Sequence, residues 1–298
     1  MRVLIVGAAG QLGQAMAARL GSEHEVTEWT RQDIDLTRHR DVREAVGELA
    51  PQAIVNCASF NHVDAAEDNQ ITALDVNAMV VGTLARAAAA LDAVFMHYST
   101  DFVFSGATAA PYTERDTPEP RSAYAQSKLV GEWLACDASK HYVMRVESLF
   151  GGPRRRSSVD RIVDFVRSGQ PAPVFVDRVV SPSFVADVAD ASAFVLRAQP
   201  AAGVYHCVNS GHATWLAVGQ EIVRRLGASE SLLRPVSVND VKLRAPRPQF
   251  AALDNSKLAR IGYVMPSWQD AISRYIGLLR PQTSMGQGEN GGQAPAPQ

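Results

Sequence analysis

The chain has 298 residues, 29 basic and 31 acidic side chains, and a net charge of −2. With 46% hydrophobic and 20% charged residues it has an ordinary globular composition. That excludes wholesale disorder, and it leaves no general basic field for nucleic acid or an anionic membrane.

The length suggests about two domains. Cys57, Cys136 and Cys207 are odd in number, widely spaced and form no CxxC. They read as free thiols in a reducing, cytoplasmic setting, not as a disulfide framework or a zinc site. No apolar run is expected to span a membrane, and the opening residues read as a buried strand instead of a leader segment.

In chain order, Arg2–Val6 predicts a strand, Gln11–Leu20 a helix, Glu25–Trp29 a strand, Asp41–Leu49 a helix and Ala53–Asn56 a strand. Ile71–Leu91 is Ala-rich and reads as one long helix. Val94–Ser99 reads as a strand, Tyr124–Cys136 as a helix and Tyr142–Val146 as a strand. Strands alternating with helices predict an α/β fold, a doubly wound parallel sheet of the Rossmann kind.

Past the breaker Gly151-Gly152-Pro153 the alternation is lost. Helices are expected at Asp160–Ser168, Phe184–Arg197, Trp215–Leu226 and Ser267–Leu279, with a short strand at Val204–Val208. The expectation is a dinucleotide-binding domain over 1–150 and a smaller substrate-binding cap over 151–280, with elements near 182–210 returning to the first sheet. Pro281–Gln298 reads as a disordered tail. The run Arg154–Arg156 reads either as a phosphate contact or as a solvated loop.

GAAGQLG sets Gly7, Gly10 and Gly13 at GxxGxxG spacing directly after a strand and at the opening of a helix. In that context the glycines permit a tight turn, close approach of backbone to a pyrophosphate, and close packing of helix on strand. The helix N-terminus adds free N–H groups and a positive dipole. After the second strand, Arg31 suits a 2′-phosphate and points to NADP(H). Glu28 keeps NAD(H) open.

YAQSK sets Tyr124 and Lys128 one helical turn apart, and HYSTDFVF brings Ser99, Thr100 and Asp101 to the end of a strand. Reduction of a ketone by hydride creates an alkoxide that needs a proton. A tyrosine can give it, a nearby ammonium is expected to make the phenol more acidic, and a hydroxyl such as Thr100 can polarise the carbonyl.

These segments resemble the dTDP-4-dehydrorhamnose reductase family of extended short-chain dehydrogenases/reductases. The resemblance is carried by GAAGQLG, DIDLT (Asp33–Thr37), PQAIVNCASFNHVDAAE (Pro51–Glu67), VNA (Val76–Ala78), STDFVF (Ser99–Phe104), PYTERD (Pro111–Asp116), YAQSKLVGE (Tyr124–Glu132), SPS…ADVA (Ser181–Ala189) and RPQFAALDNSKL (Arg247–Leu258). It implies Thr100, Tyr124 and Lys128 as the catalytic trio. It implies that Gly7, Gly10, Gln11, Leu12 and Gly13 hold the pyrophosphate, that Asp35 and Leu36 flank the adenine, and that Ala58 and Ser59 line the cofactor beside its ribose. Asp101, Phe102, Val103 and Phe104 would face the sugar-nucleotide pocket, with Arg247 near the substrate. The implied partner is a sugar nucleotide, with no nucleic acid or membrane, and a homodimer is one assembly it allows.

The chain also departs from the family. Where the family follows its fifth strand with RTSW, this sequence reads Arg145-Val146-Glu147-Ser148. A pocket tryptophan is replaced by Ser148 and a carboxylate appears at Glu147. Glu147 either pairs with an arginine of Arg154–Arg156 or reads a sugar hydroxyl. Phe102 stands where the family more commonly has tyrosine. His62 and His97 lie near these segments, but no metal site is expected. Rival readings are a sugar-nucleotide epimerase or dehydratase that retains its NAD, a non-catalytic NADP-binding regulatory subunit resembling the methionine adenosyltransferase β subunit, and a redox-sensing Rossmann regulator.

Overall fold

The computed structural model describes residues 1–279. The segment Pro281–Gln298 lies outside the described residues.

Five strands alternate with helices along the first half: β1 (Arg2–Val6), β2 (Glu25–Trp29), β3 (Ala53–Asn56), β4 (Val94–Thr100) and β5 (His141–Val146). A sixth strand, Gly203–His206, returns from the second half and pairs with β5. All pairings in this sheet are parallel. The order from that edge is Gly203–His206, β5, β4, β3, β1, β2. β3 and β4 are buried along their whole lengths, as expected of strands covered on both faces, whereas the edge strand β2 is partly exposed.

The alternation along β1 divides the core. Val3 and Ile5 join the apolar cluster on one face, with α1 (Gln11–Leu20) and the helix Val185–Ala198; Leu4 and Val6 join the cluster on the other. That second face is covered by α2 (His39–Leu49) and by the helices Val80–Ala90 and Ala123–Ala135.

β1 has β2 on one side and β3 on the other. The chain therefore leaves β1 in opposite directions, and a crevice opens at the carboxyl ends of β1 and β3. Such switch points are where doubly wound sheets bind ligands.

The expected single helix Ile71–Leu91 is not uniform. Gln70–Leu74 and Val80–Ala90 are α-helical, and Asp75–Met79 between them is a π-helical turn. Contrary to the expectation that no run could span a membrane, the 21 residues Gln70–Ala90 are long and apolar enough by length and composition. The helix nevertheless spends its apolar face on the core, where Val80, Val81, Leu84, Ala85 and Ala88 are fully buried.

After Gly151 the chain forms small paired strands beside the sheet: Ala172–Phe175 with Leu233–Val236, and Val179–Val180 with Ala213–Thr214. Helices Ser158–Arg167, Trp215–Leu226 and Trp268–Leu278 pack around them. Leu149–Phe150 pairs with Ser183–Phe184 and ties this layer back to the end of β5.

Candidate active site

The glycine turn is built by close approach. Gly7 has φ +79°, and a Cβ there would lie 2.7 Å from the Ala58 backbone nitrogen. A Cβ on Gly13 would lie 2.3 Å from the Gly7 carbonyl oxygen. Loops from β1 and β3 thus press together at the crevice, with no room for side chains.

Gly10 caps α1 without a side-chain hydrogen bond, so the first N–H groups of the helix stay open to an anion. The Gln11 Nε2 amide is buried without a partner. Arg31 is exposed in the turn that follows β2 and makes no ion pair among the described residues. The turn is shaped by Asp33, whose carboxylate accepts from the Thr30 N–H at 2.8 Å and the Thr30 hydroxyl at 2.7 Å. Asp35 is exposed, and its carboxylate accepts from the N–H and hydroxyl of Thr37. Leu36 and Ala58 pack on the second core cluster. A shallow anion cradle with an unpaired guanidinium one strand away fits a phosphorylated dinucleotide.

The reactive side chains sit at the carboxyl end of β4 and on the helix Ala123–Ala135. Ser122 caps that helix by accepting the Ala125 N–H, and the Glu67 carboxylate takes the Ala123 N–H at 2.9 Å. A buried ion pair holds the helix against the sheet. Arg145 on β5 donates to both Glu132 carboxylate oxygens, at 2.9 and 2.7 Å. The opposite side is held by Asn77. Its Nδ2 donates to Ser127 Oγ at 2.9 Å and to the Phe60 carbonyl, while its Oδ1 accepts from Ser59 and from the Phe60 N–H. The π turn puts Asn77 so close that a Cβ on Gly131 would lie 2.1 Å from the Asn77 carbonyl oxygen.

Tyr124 is buried with its ring edge-on to Phe102, at 5.7 Å between centroids. Burial and then the Asp101 carboxylate push its phenol well above the ordinary value, while hydrogen bonding to Thr100 works the other way. Lys128 is 2% exposed, and its Nζ donates to the Tyr98 carbonyl at 2.5 Å and lies 3.3 Å from His97 Nε2. Burial brings the Lys128 ammonium down to about 8, against the pull of Glu132 and Cys57.

This corrects one expectation. In this arrangement the ammonium is engaged by the sheet, and the groups that act on the Tyr124 phenol are Asp101 and Thr100. Burial is the larger influence, and it makes the phenol less acidic than a free tyrosine.

Thr100 also differs from expectation. Its hydroxyl donates to Asp101 Oδ1 at 2.9 Å and accepts the Phe102 N–H at 3.2 Å. A hydroxyl has a single proton, so in this state none is directed at a carbonyl.

Of the four residues expected to face the sugar, Asp101 and Phe102 are at the site. Arg178 and Arg247 hold their guanidinium groups over the Phe102 ring at 5.7 and 5.8 Å. Val103 and Phe104 are not at the surface of the pocket. They are fully buried beneath it with Leu129, Val208 and Leu253, and Phe104 stacks on Tyr112 at 4.1 Å. The chain turns over a 3₁₀ segment at Asp101–Val103, which buries Asp101, Val103 and Phe104 and leaves Phe102 part-exposed.

Glu147 does not pair with the Arg154–Arg156 run, because Arg155 is bound to Asp164 and lies near Asp160. Instead Glu147 Oε2 accepts the Ser181 N–H at 2.7 Å. Ser148 follows with φ +45°. Arg247 is tied to Asp64 at 2.8 Å.

Sequence reasoning gave Asn77 and Arg178 no role. Asn77 lies within the VNA segment, but only the π turn makes it a brace. Arg178 lies in a stretch without periodicity.

Fold and site together define an NADP-type oxidoreductase, an extended short-chain dehydrogenase/reductase with its tyrosine and lysine on one helix beside a glycine cradle. Residues 1–280 match the family model described as RmlD substrate binding domain, and the chain belongs to that family.

The chain is 30% identical to the dTDP-4-dehydrorhamnose reductase of Burkholderia thailandensis, over 91% of this chain and 97% of that protein. It is 33% identical to the dTDP-4-dehydrorhamnose reductase of Streptomyces griseus, over 91% and 92%. Among solved structures, the dTDP-4-dehydrorhamnose reductase of Bacillus anthracis in complex with NADP superposes with a TM-score of 0.88 at 28% identity, covering 93% of this chain and 99% of that one.

Proposed function

We propose that the protein uses NADPH to reduce the 4-ketone of a 6-deoxy sugar nucleotide. The observation that carries this reading is Thr100 at the carboxyl end of β4, one strand from the glycine crevice, packed against the helix that carries buried Tyr124 and, one turn further along, buried Lys128.

Gly7, Gly10, Gln11, Leu12 and Gly13 would hold the pyrophosphate and Arg31 the 2′-phosphate. Asp35 and Leu36 would flank the adenine, and Ala58, Ser59, Tyr124 and Lys128 would border the ribose and nicotinamide. When bound, the reduced nicotinamide supplies a hydride to the carbonyl carbon. The Tyr124 hydroxyl donates its proton to the oxygen, which an alkoxide draws strongly because it is far more basic than any phenolate. Lys128, held by the Tyr98 carbonyl, would hold the ribose of the bound cofactor with a cationic donor. Phe102, Ser148 and Arg247 would border the sugar nucleotide, with Asp101 just behind them.

The free thiols fit a cytoplasmic setting. Exposed Ile71, Leu74 and Trp133 on the two adjoining helices support a homodimer.

The test is NADPH consumption with a panel of 4-keto sugar nucleotides. Consumption with a 4-keto-6-deoxy sugar is the expected result. Binding of NADPH without consumption would point to a regulatory subunit. Conversion of sugar without net NADPH oxidation would point to an epimerase or dehydratase.

A further inference from the structure

Asn56 and His97 are register partners on β3 and β4, and both are fully buried. A chain of hydrogen bonds runs through them from the crevice wall to Lys128. The Ala58 N–H donates to Asn56 Oδ1 at 3.1 Å. A backbone N–H can only donate, so the amide oxygen is the atom that faces it. The Asn56 Nδ2 amide then donates to His97 Nδ1 at 3.2 Å. Burial and the neighbouring Lys128 hold the imidazole far below its ordinary range, so the ring is neutral. With Nδ1 accepting, its single proton sits on Nε2.

That proton faces Lys128 Nζ at 3.3 Å. An ammonium has donors only, so N–H would oppose N–H. A neutral amine has a lone pair that accepts from His97, and it still donates to the Tyr98 carbonyl at 2.5 Å. Only the neutral amine leaves every contact in the chain matched. Charge on Nζ is also unmatched. Among the described residues no carboxylate pairs with Lys128, and Glu132, one turn on, is held by Arg145 from β5. A buried ammonium without a counter-ion is costly.

We propose that the Ala58–Asn56–His97 chain holds Lys128 as a neutral amine in the coenzyme-free protein, and that NADPH binding charges it by uptake of one proton. The inference rests on the coenzyme part of the proposed function. Asn56 and His97 are positioning residues that act through Lys128. One N–H bond forms at Nζ, its proton comes from the buffer during local openings of the fold, and no electrons are exchanged. The charged Nζ gives up the His97 contact and keeps the Tyr98 carbonyl. The coenzyme's phosphates supply the negative charge that the protein withholds.

The other titratable groups around Nζ are silent in the relevant range. Burial brings Lys128 down to about 8, while it holds the Cys57 thiol and the Tyr124 phenol well above that. A 2′-phosphate titrates at about 6. Between the free and bound midpoints of Lys128, binding gains a proton. NADPH affinity should therefore fall as pH rises through that window, by up to about tenfold per pH unit.

The chain has four lysines and seven histidines, few enough for isotope labelling to resolve. Imidazole nitrogen NMR of the free protein, with His97 assigned through His97→Gln, should show the Nε2–H tautomer. The labelled Lys128 Cε signal, identified by its loss in Lys128→Arg, should titrate with a midpoint no higher than about 8. Adding NADPH at about pH 8.5 should move that signal to the position of a charged amine. Calorimetry at about the same pH, in two buffers of different ionisation enthalpy, should give more than about half a proton taken up per NADPH. Lys128→Arg stays charged and should bind without uptake. Asn56→Asp reverses the chain: its second oxygen accepts the His97 proton at Nδ1, Nε2 becomes an acceptor, Lys128 stays charged and the uptake disappears. The wild-type spectra are decisive if that variant folds poorly.

An Nδ1–H tautomer, a Lys128 midpoint near that of a free lysine at about 10.4, or NADPH binding without proton exchange would overturn the inference. A protein that gives neither heat nor a shifted signal with NADPH would remove the coenzyme reading, while the spectra of the free protein would still decide the charge on Lys128.

Discussion

Gly131→Ala tests how the catalytic helix is seated. Its Cβ would fall 2.1 Å from the Asn77 carbonyl oxygen, 0.9 Å short of the 3.0 Å below which such contacts are essentially never seen. The obstacle is backbone held in a π turn, not the end of a flexible side chain, so the helix Ala123–Ala135 must give way by about 1 Å. Overpacking of this kind costs about 1–3 kcal/mol, which should lower the melting temperature by several degrees. Lys128 lies one turn earlier on the same helix, and its 2.5 Å bond to the Tyr98 carbonyl cannot survive the shift. A displacement of that size in a reacting group costs on the order of 10²-fold in rate. Thermal melts and NADPH oxidation by the purified variant measure both effects. A variant that melts with wild type and turns over normally would refute the idea that this contact sets the position of Lys128.

Tyr124→Phe should cut turnover by about 10²–10⁴-fold with little change in NADPH affinity; undiminished turnover would remove Tyr124 from the chemistry. Arg31→Ala should weaken NADPH more than NADH in titration, and equal weakening would place the 2′-phosphate elsewhere. Arg145→Ala leaves Glu132 buried and unpaired, so denaturant unfolding should show a loss of about 3–5 kcal/mol. Stability should also fall with acid. Burial and then Arg145 hold His206 down to about 3, against 6.5 for a free imidazole. The unfolded chain therefore binds a proton that the folded one refuses. This contribution is complete above about pH 6.5 and is lost as the pH falls toward 3, the loss reaching about 2 kcal/mol by about pH 5. Buried His97 adds in the same direction. Equal unfolding free energies at pH 7 and about pH 5 would contradict this.

Where local pattern and burial agree, the sequence is legible. β1, α1, β2 and β3 have the ends read from their apolar runs and flanking glycines. The pairing of Tyr124 and Lys128 follows from helical periodicity alone. Long-range features were not legible. The π turn at Asp75–Met79 interrupts a run whose composition gives no sign of it, because packing against Gly131 and the Asn77 amide fixes it. The resemblance sets all four of Asp101, Phe102, Val103 and Phe104 facing the pocket, yet a 3₁₀ turn buries Val103 and Phe104. The arginine acting on Glu147 came from Arg178, distant in sequence, and not from the adjacent basic run. The state of Tyr124 depends on which neighbours its hydroxyl meets, and spacing does not encode that.

The meeting of Gly7 with Ala58 has a consequence for biogenesis. A nascent chain that has emerged only as far as α2 already carries the entire GAAGQLG signature, yet it lacks the opposing wall that the loop after β3 supplies. With the coenzyme seated in this crevice as proposed, docking waits until the third strand has zipped onto the first, and its capture would mark a ribosome product that has assembled the centre of its sheet. During refolding, fluorescence from bound NADPH would serve as a clock for that event, lagging behind formation of the first strand–helix unit.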